Sequence, residues 1–123
     1  MTGSMTNIGQ ELRALLMADE TIASLVKGRI YPYTTQTEVN EPHIVYDGIV
    51  ADYEYTKDGQ YPGQVSLTIH CNASDYEHGR QMAQAVEGAL INHSDVRIST
   101  MSVDYDAAAL MFTFDFNLLI DYE

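Results

Sequence analysis

The stretch QVSLTIHCNASDYEHGRQMAQAVEGALI, residues 64–91, changes periodicity halfway along and decides the class of the fold. Its first half alternates. Val65, Leu67, Ile69 and Cys71 fall on one face of an extended chain, and Ser66, Thr68, His70 and Asn72 on the other. That pattern predicts a half-buried strand over 64–72. A slip of one residue would invert both faces, so the register is well specified. The second half repeats at three and four: Tyr76, Gly79, Ala83, Val86 and Leu90. A helix is expected over about 75–91, opened by Ser74-Asp75-Tyr76-Glu77 as a capping box. Asp75 and Glu77 sit at its positive end. Its small residues, Gly79, Ala83, Ala85 and Ala89, would let it lie close to a sheet.

Working outward, the C-terminal side gives a strand at 96–105, a turn at Asp106-Ala107-Ala108-Ala109 and a last strand at 110–121. That last strand has the strongest pattern in the chain. Phe112, Phe114, Phe116, Leu118 and Ile120 face one way; Thr113, Asp115, Asn117 and Asp121 face the other, with Leu119 the exception. Placed at a sheet edge, it would be free to pair with a neighbouring subunit. On the N-terminal side, Ile8, Leu12, Leu15 and Leu16 form one stripe of a helix over 7–18, with Asn7 as N-cap answered by Gln10. Asp19 caps a short second turn carrying Ile22, Leu25 and Val26, which Gly28 ends. Ile30-Tyr31-Pro32 is a short extended piece, 33–41 a polar loop, and 43–51 a strand with mixed faces that fits cover on both sides. Residues 52–63 carry the turn signal Lys57-Asp58-Gly59 flanked by tyrosines.

The fold class that follows is α+β: a mostly antiparallel four- to five-stranded sheet with two main helices packed on one face, in the order α-β-β-β-α-β-β. The 123 residues fit one domain, over 7–123, and 46% hydrophobic content is enough for a core. Residues 1–6 are expected to be either disordered or the remnant of a tag.

The charge balance excludes several functions. Eighteen acidic against six basic residues give −12, and the basic ones, Arg13, Lys27, Arg29, Lys57, Arg80 and Arg97, form no run. A face that grips nucleic acid is not expected; a basic protein surface would be a better partner. The single cysteine, Cys71, rules out a disulfide framework and fits a reducing, cytoplasmic setting. The first residues lack the form of a signal peptide, and no apolar run has the roughly 20 residues of a membrane helix.

Catalytic and metal readings are weak. Asp75 and His78 have a spacing that metal sites use, without further ligands nearby, so neither metal nor cofactor is expected. His70 and Cys71 are neighbours on a strand and must diverge, leaving Cys71 as a small core hydrophobe. There is no phosphate loop, nucleophile elbow or zinc helix motif. Asp47, Asp52, Glu54 and Asp58 lack the spacing of a calcium loop and read as a solvated rim. Carboxylate pairs such as Asp47 with Asp52, or Asp104 with Asp106, lie near turns, where the burial that general acid–base work needs is not expected. The nine tyrosines remain, several grouped at Tyr46, Tyr53, Tyr55 and Tyr61. Tyrosine suits surfaces half wet and half apolar, which makes Tyr53, Tyr55, Lys57 and Tyr61 a candidate oligomer interface.

Five segments together carry a family resemblance. They are Glu11-Leu12-Arg13-Ala14-Leu15-Leu16 through Ile22-Ala23-Ser24-Leu25-Val26, then Gly28-Arg29-Ile30-Tyr31-Pro32, then Pro42-His43-Ile44-Val45-Tyr46, then Val65–Cys71 running into Asp75-Tyr76, and Val86-Glu87-Gly88-Ala89-Leu90. In order and spacing the chain resembles the tail-terminator, or head–tail joining, proteins of long-tailed phages and prophages. The resemblance implies a non-enzymatic structural protein of the virion, assembled in the bacterial cytoplasm. It implies a ring, usually a homohexamer, at the head-proximal end of the tail tube. Its partners would be further copies of itself, the tail tube protein and a head-completion or connector protein, with DNA passing through the lumen without specific binding. The other class of function left open is a small ligand-binding or regulatory module without catalysis.

Overall fold

A computed structural model describes residues 1 and 3–122. The chain forms helices α1 (Ile8–Met17), α2 (Glu20–Val26) and α3 (Tyr76–Ile91), and strands β1 (Ile30–Pro32), β2 (His43–Thr56), β3 (Gly59–Ala73), β4 (Val96–Asp106) and β5 (Met111–Asp121). The strands make one five-stranded sheet in the order β1-β2-β3-β5-β4.

The sheet is built outward from β3. Val65, Leu67, Ile69 and Cys71 lie opposite Ile120, Leu118, Phe116 and Phe114 of β5. All eight are at most 3% exposed. Burying one large apolar side chain is worth roughly 1.5–3 kcal/mol, so this double row is the main source of cohesion. The three helices close over it: Ile8, Leu12 and Leu16 of α1, Ile22 and Val26 of α2, and Met82, Val86 and Leu90 of α3 join the same cluster. As the alternation predicts, β3 buries one face and leaves the other partly open.

Several expectations change. The sheet is mixed rather than purely antiparallel, because β1 runs parallel to β2, with Ile30 beside Ile44 and Pro32 beside Tyr46. The polar loop 33–41 is the crossover that carries the chain back to start β2 in the same direction, which a tight hairpin cannot do. The short second turn is a separate helix, so the order is α-α-β-β-β-α-β-β. Asp19 Oδ1 accepts the Ile22 amide at 3.0 Å as expected. The other two caps differ. Asn7 makes no side-chain cap, since a 3-10 turn over Met5–Asn7, capped by Ser4, leads into α1. The N-cap of α3 is Asp75, also without a side-chain cap; Glu77 is drawn instead to Arg80 one turn on, at 2.6 Å. Where a disordered lead-in was expected, Met5 is 2% exposed and belongs to the core; Thr2 lies outside the described residues.

Two further findings bear on function. The segment 52–63 is the hairpin that its turn signal predicts, with the strands longer than expected and paired down to Thr56 opposite Gly59. The C-terminal strand β5 is not at an edge: it lies between β3 and β4, and β4 is the edge.

Close helix–sheet contact depends on Gly79. A Cβ there would stand 2.8 Å from Phe114 Cε1 and 3.6 Å from Ala73 Cβ. Gly79→Ala is expected to destabilise the chain by about 1–2 kcal/mol: overpacking outweighs the roughly 0.5–1 kcal/mol that alanine gains over glycine in a helix. Urea unfolding of the two proteins measures the difference.

Candidate assembly surface

The face of the sheet away from the helices is polar and organised in rows across the strands. Thr113 Oγ1 donates to Asn72 Oδ1 at 2.7 Å, and Asn72 Nδ2 lies 3.4 Å from His43 Nε2. Thr68 Oγ1 donates to Asn117 Oδ1 at 2.7 Å, and Asn117 Nδ2 to Thr100 Oγ1 at 2.6 Å. Gln64 and Arg97 both reach Asp121 Oδ1, at 3.2 and 3.3 Å. Between these rows His70 bridges two carboxylates, Nε2 to Asp47 Oδ1 at 2.9 Å and Nδ1 to Asp115 Oδ1.

Burial works against protonation of His70, but the hydrogen bonds and charges of Asp47 and Asp115 outweigh it and hold its pKa above the ordinary 6.5. With both ring nitrogens engaged by carboxylates, the imidazolium ties β2, β3 and β5 together across the middle of the sheet. A pKa raised on folding contributes stability that is complete below the unfolded value and fades as pH rises through the folded one. The stability difference between the native sequence and His70→Gln should therefore be larger at pH 6 than at pH 9. Chemical denaturation at the two values measures it.

Cys71, next in sequence, points to the opposite side. It is fully buried, and desolvation first, with the Asp115 charge second, pushes its thiol far above the ordinary range. The expected divergence of His70 and Cys71 holds, and no nucleophile–base pair results. Cys71 should remain unreactive to Ellman's reagent in the folded chain and react at once in denaturant.

The remaining candidates separate. His78 Nδ1 is 3.1 Å from Asp75 Oδ2 in an exposed ion pair. Among the described residues, no group of three or more His, Cys, Asp and Glu side chains is placed to hold a metal. Asp47 turns to His70 and not to Asp52. Asp104 and Asp106 are exposed, and Asp106 Oδ1 accepts the amides of Ala108 and Ala109 in the turn. Among the described residues, neither Asp47 with Asp52 nor Asp104 with Asp106 forms a buried pair.

Surface aromatics gather in two places. The first is the far end of the β2–β3 ladder, where Tyr53, Tyr55 and Tyr61 are 57%, 78% and 45% exposed and Lys57 stands in the turn. All four predicted interface residues are thus together on one hairpin. Tyr46, grouped with them by sequence, is not: it is a core residue, its ring tucked under Gly9, where an added Cβ would come within 2.7 Å of the phenol oxygen. The second place was not foreseen. On β4, Met101, Val103 and Tyr105 pair with Phe116, Phe114 and Phe112, which puts them on the helix side of the sheet. Helix α3 stops short of covering them, leaving a cleft of about 170 Å³ bounded by Arg80, Ala83, Gln84, Glu87 and Met101. Tyr105 packs on Phe112 at 4.6 Å and Tyr76 on Phe112 at 5.6 Å, both tyrosines half exposed. The signal was available as the alternation Met101-Val103-Tyr105, but which strand forms the edge depends on strand order.

Comparison with known proteins gives the class. Residues 10–118 match the family model of tail completion protein gp17. The chain belongs to that family, and is a structural protein of phage tails and not an enzyme. No curated protein matches the chain. Among solved structures, a chain from the virion of a native gene transfer agent particle is similar in fold, with a TM-score of 0.72 over 89% of this chain and 90% of that one, at 16% identity.

Proposed function

We propose that this chain is the subunit of a ring that ends the tail tube at its head-proximal end and joins tail to head. The family match across residues 10–118 carries the reading. The similarity in fold to a chain of a gene transfer agent virion supports it. The surface agrees: the hairpin with Tyr53, Tyr55, Lys57 and Tyr61 and the open side of β4 offer apolar contact area to neighbours. The partners are further copies of the chain, the tail tube protein and a head-side connector. The −12 charge suits a lumen through which DNA slides without being held. The site of action is the virion, after assembly in the bacterial cytoplasm.

Light scattering after size exclusion tests the reading. A closed ring of roughly six copies is expected, each of 13.8 kDa, seen as annuli in negative stain. A chain that stays monomeric at millimolar concentration, with and without purified tail tubes, would contradict it.

A further inference from the structure

The sheet has two open edges, and they match. At one end, β1 covers only Ile44–Tyr46 of β2, and the Tyr33 hydroxyl takes the Ile49 amide at 3.2 Å. Beyond that, among the described residues, Val50–Thr56 pairs only with β3. At the other end, β4 pairs, among the described residues, only with β5. Each edge is interrupted by a bulge at its near end, between Asp47 and Val50 on β2 and between Ile98 and Thr100 on β4. Past those bulges both strands run on without an extra residue, over Val50–Thr56 and over Thr100–Asp106; the second irregularity in the β2–β3 ladder places its extra residue, Gly63, on β3. The two regular runs are equal in length.

Their faces match as well. Ala51 lies opposite the core residue Val65, so Ala51, Tyr53 and Tyr55 follow one another on the helix side of β2. Met101, Val103 and Tyr105 occupy the helix side of β4. Apart from the exposed Val50 at the start of the β2 run, the other side of both runs is polar: Asp52, Glu54 and Thr56 on β2, Thr100, Ser102, Asp104 and Asp106 on β4. Directions agree too. β2, β3, β5 and β4 alternate strictly, so β4 of one copy meets β2 of a second copy antiparallel when the sheet continues with the same sense.

We infer that Thr100–Asp106 of one copy pairs with Val50–Thr56 of the next, extending the sheet from subunit to subunit with Tyr53 and Tyr55 laid beside Met101, Val103 and Tyr105. This rests on the reading of the chain as a self-assembling ring subunit and names the joint. A joint between two different patches is heterologous: it propagates around a ring and leaves one free edge of each kind on any open oligomer. It also sets Asp52 and Glu54 close to Asp104 and Asp106, so added salt should strengthen association by screening like charges.

Two variants test it, Tyr53→Lys for the β2 edge and Val103→Lys for the β4 edge, with Tyr55→Lys and Met101→Lys as substitutes should either fail to fold by circular dichroism. Mass is read by light scattering in 0.5 M salt. Each variant alone should associate at least about tenfold more weakly than the native chain. An equimolar mixture of the two should form heterodimers, because one intact edge remains on each partner. Rings from either variant alone, at native concentration dependence, would overturn the joint while leaving the ring reading in place. A mixture that stays monomeric would overturn the heterologous pairing. A native chain that never associates would instead contradict the ring reading itself.

Discussion

Everything in this fold rests on the pairing of β3 with β5. Each strand is apolar on one side only, and their antiparallel register sets Val65, Leu67, Ile69 and Cys71 against Ile120, Leu118, Phe116 and Phe114. The result is a two-strand apolar floor wide enough to seat three helices, and α3 sits close because Gly79 offers no Cβ to the Phe114 ring. Shifting either strand by one residue would turn its whole apolar set to solvent, so the register, and with it the position of both outer strands, is fixed by burial.

The same pairing organises the opposite face. Residues between the core positions line up in rows, and each row closes its own hydrogen bonds: Thr113 with Asn72, Asp115 with His70 and Asp47, Asn117 with Thr68 and Thr100. A sheet satisfied in this way can face water or a polar neighbour without an apolar cover. Apolar exposure is concentrated instead at the two ends of the sheet. Tyrosine on the hairpin and the Met101-Val103-Tyr105 stripe on β4 lie where the helical layer runs out.

Much of this was legible in the residues. Period-two alternation located β3 and β5 and their buried faces, and period 3.6 located α1 and α3. The separation of His70 from Cys71 followed from strand geometry alone. What was not legible came from pairing between distant segments. His70 and Asp115 could each be assigned to a polar face, but only the register sets them side by side with Asp47. Tyr46 looked like its surface neighbours because nothing local reveals that Gly9 leaves room for its ring. β5 has the most regular pattern in the chain, but alternation reports which face is buried and not whether a strand has one neighbour or two; its place between β3 and β4 is set by the pairing. The capping box at Ser74–Glu77 failed because Glu77 finds Arg80 on its own helix.

Amide hydrogen exchange reads the unpaired backbone groups of the two strand edges directly. Exchange should be compared between dilute, monomeric chain and concentrated, assembled chain. Val50–Thr56 and Thr100–Asp106 should slow together on assembly, while Phe114–Leu118, already paired on both sides, should change little. Slowing confined to the helical layer, with both edges exchanging as fast as in the monomer, would contradict edge-to-edge pairing.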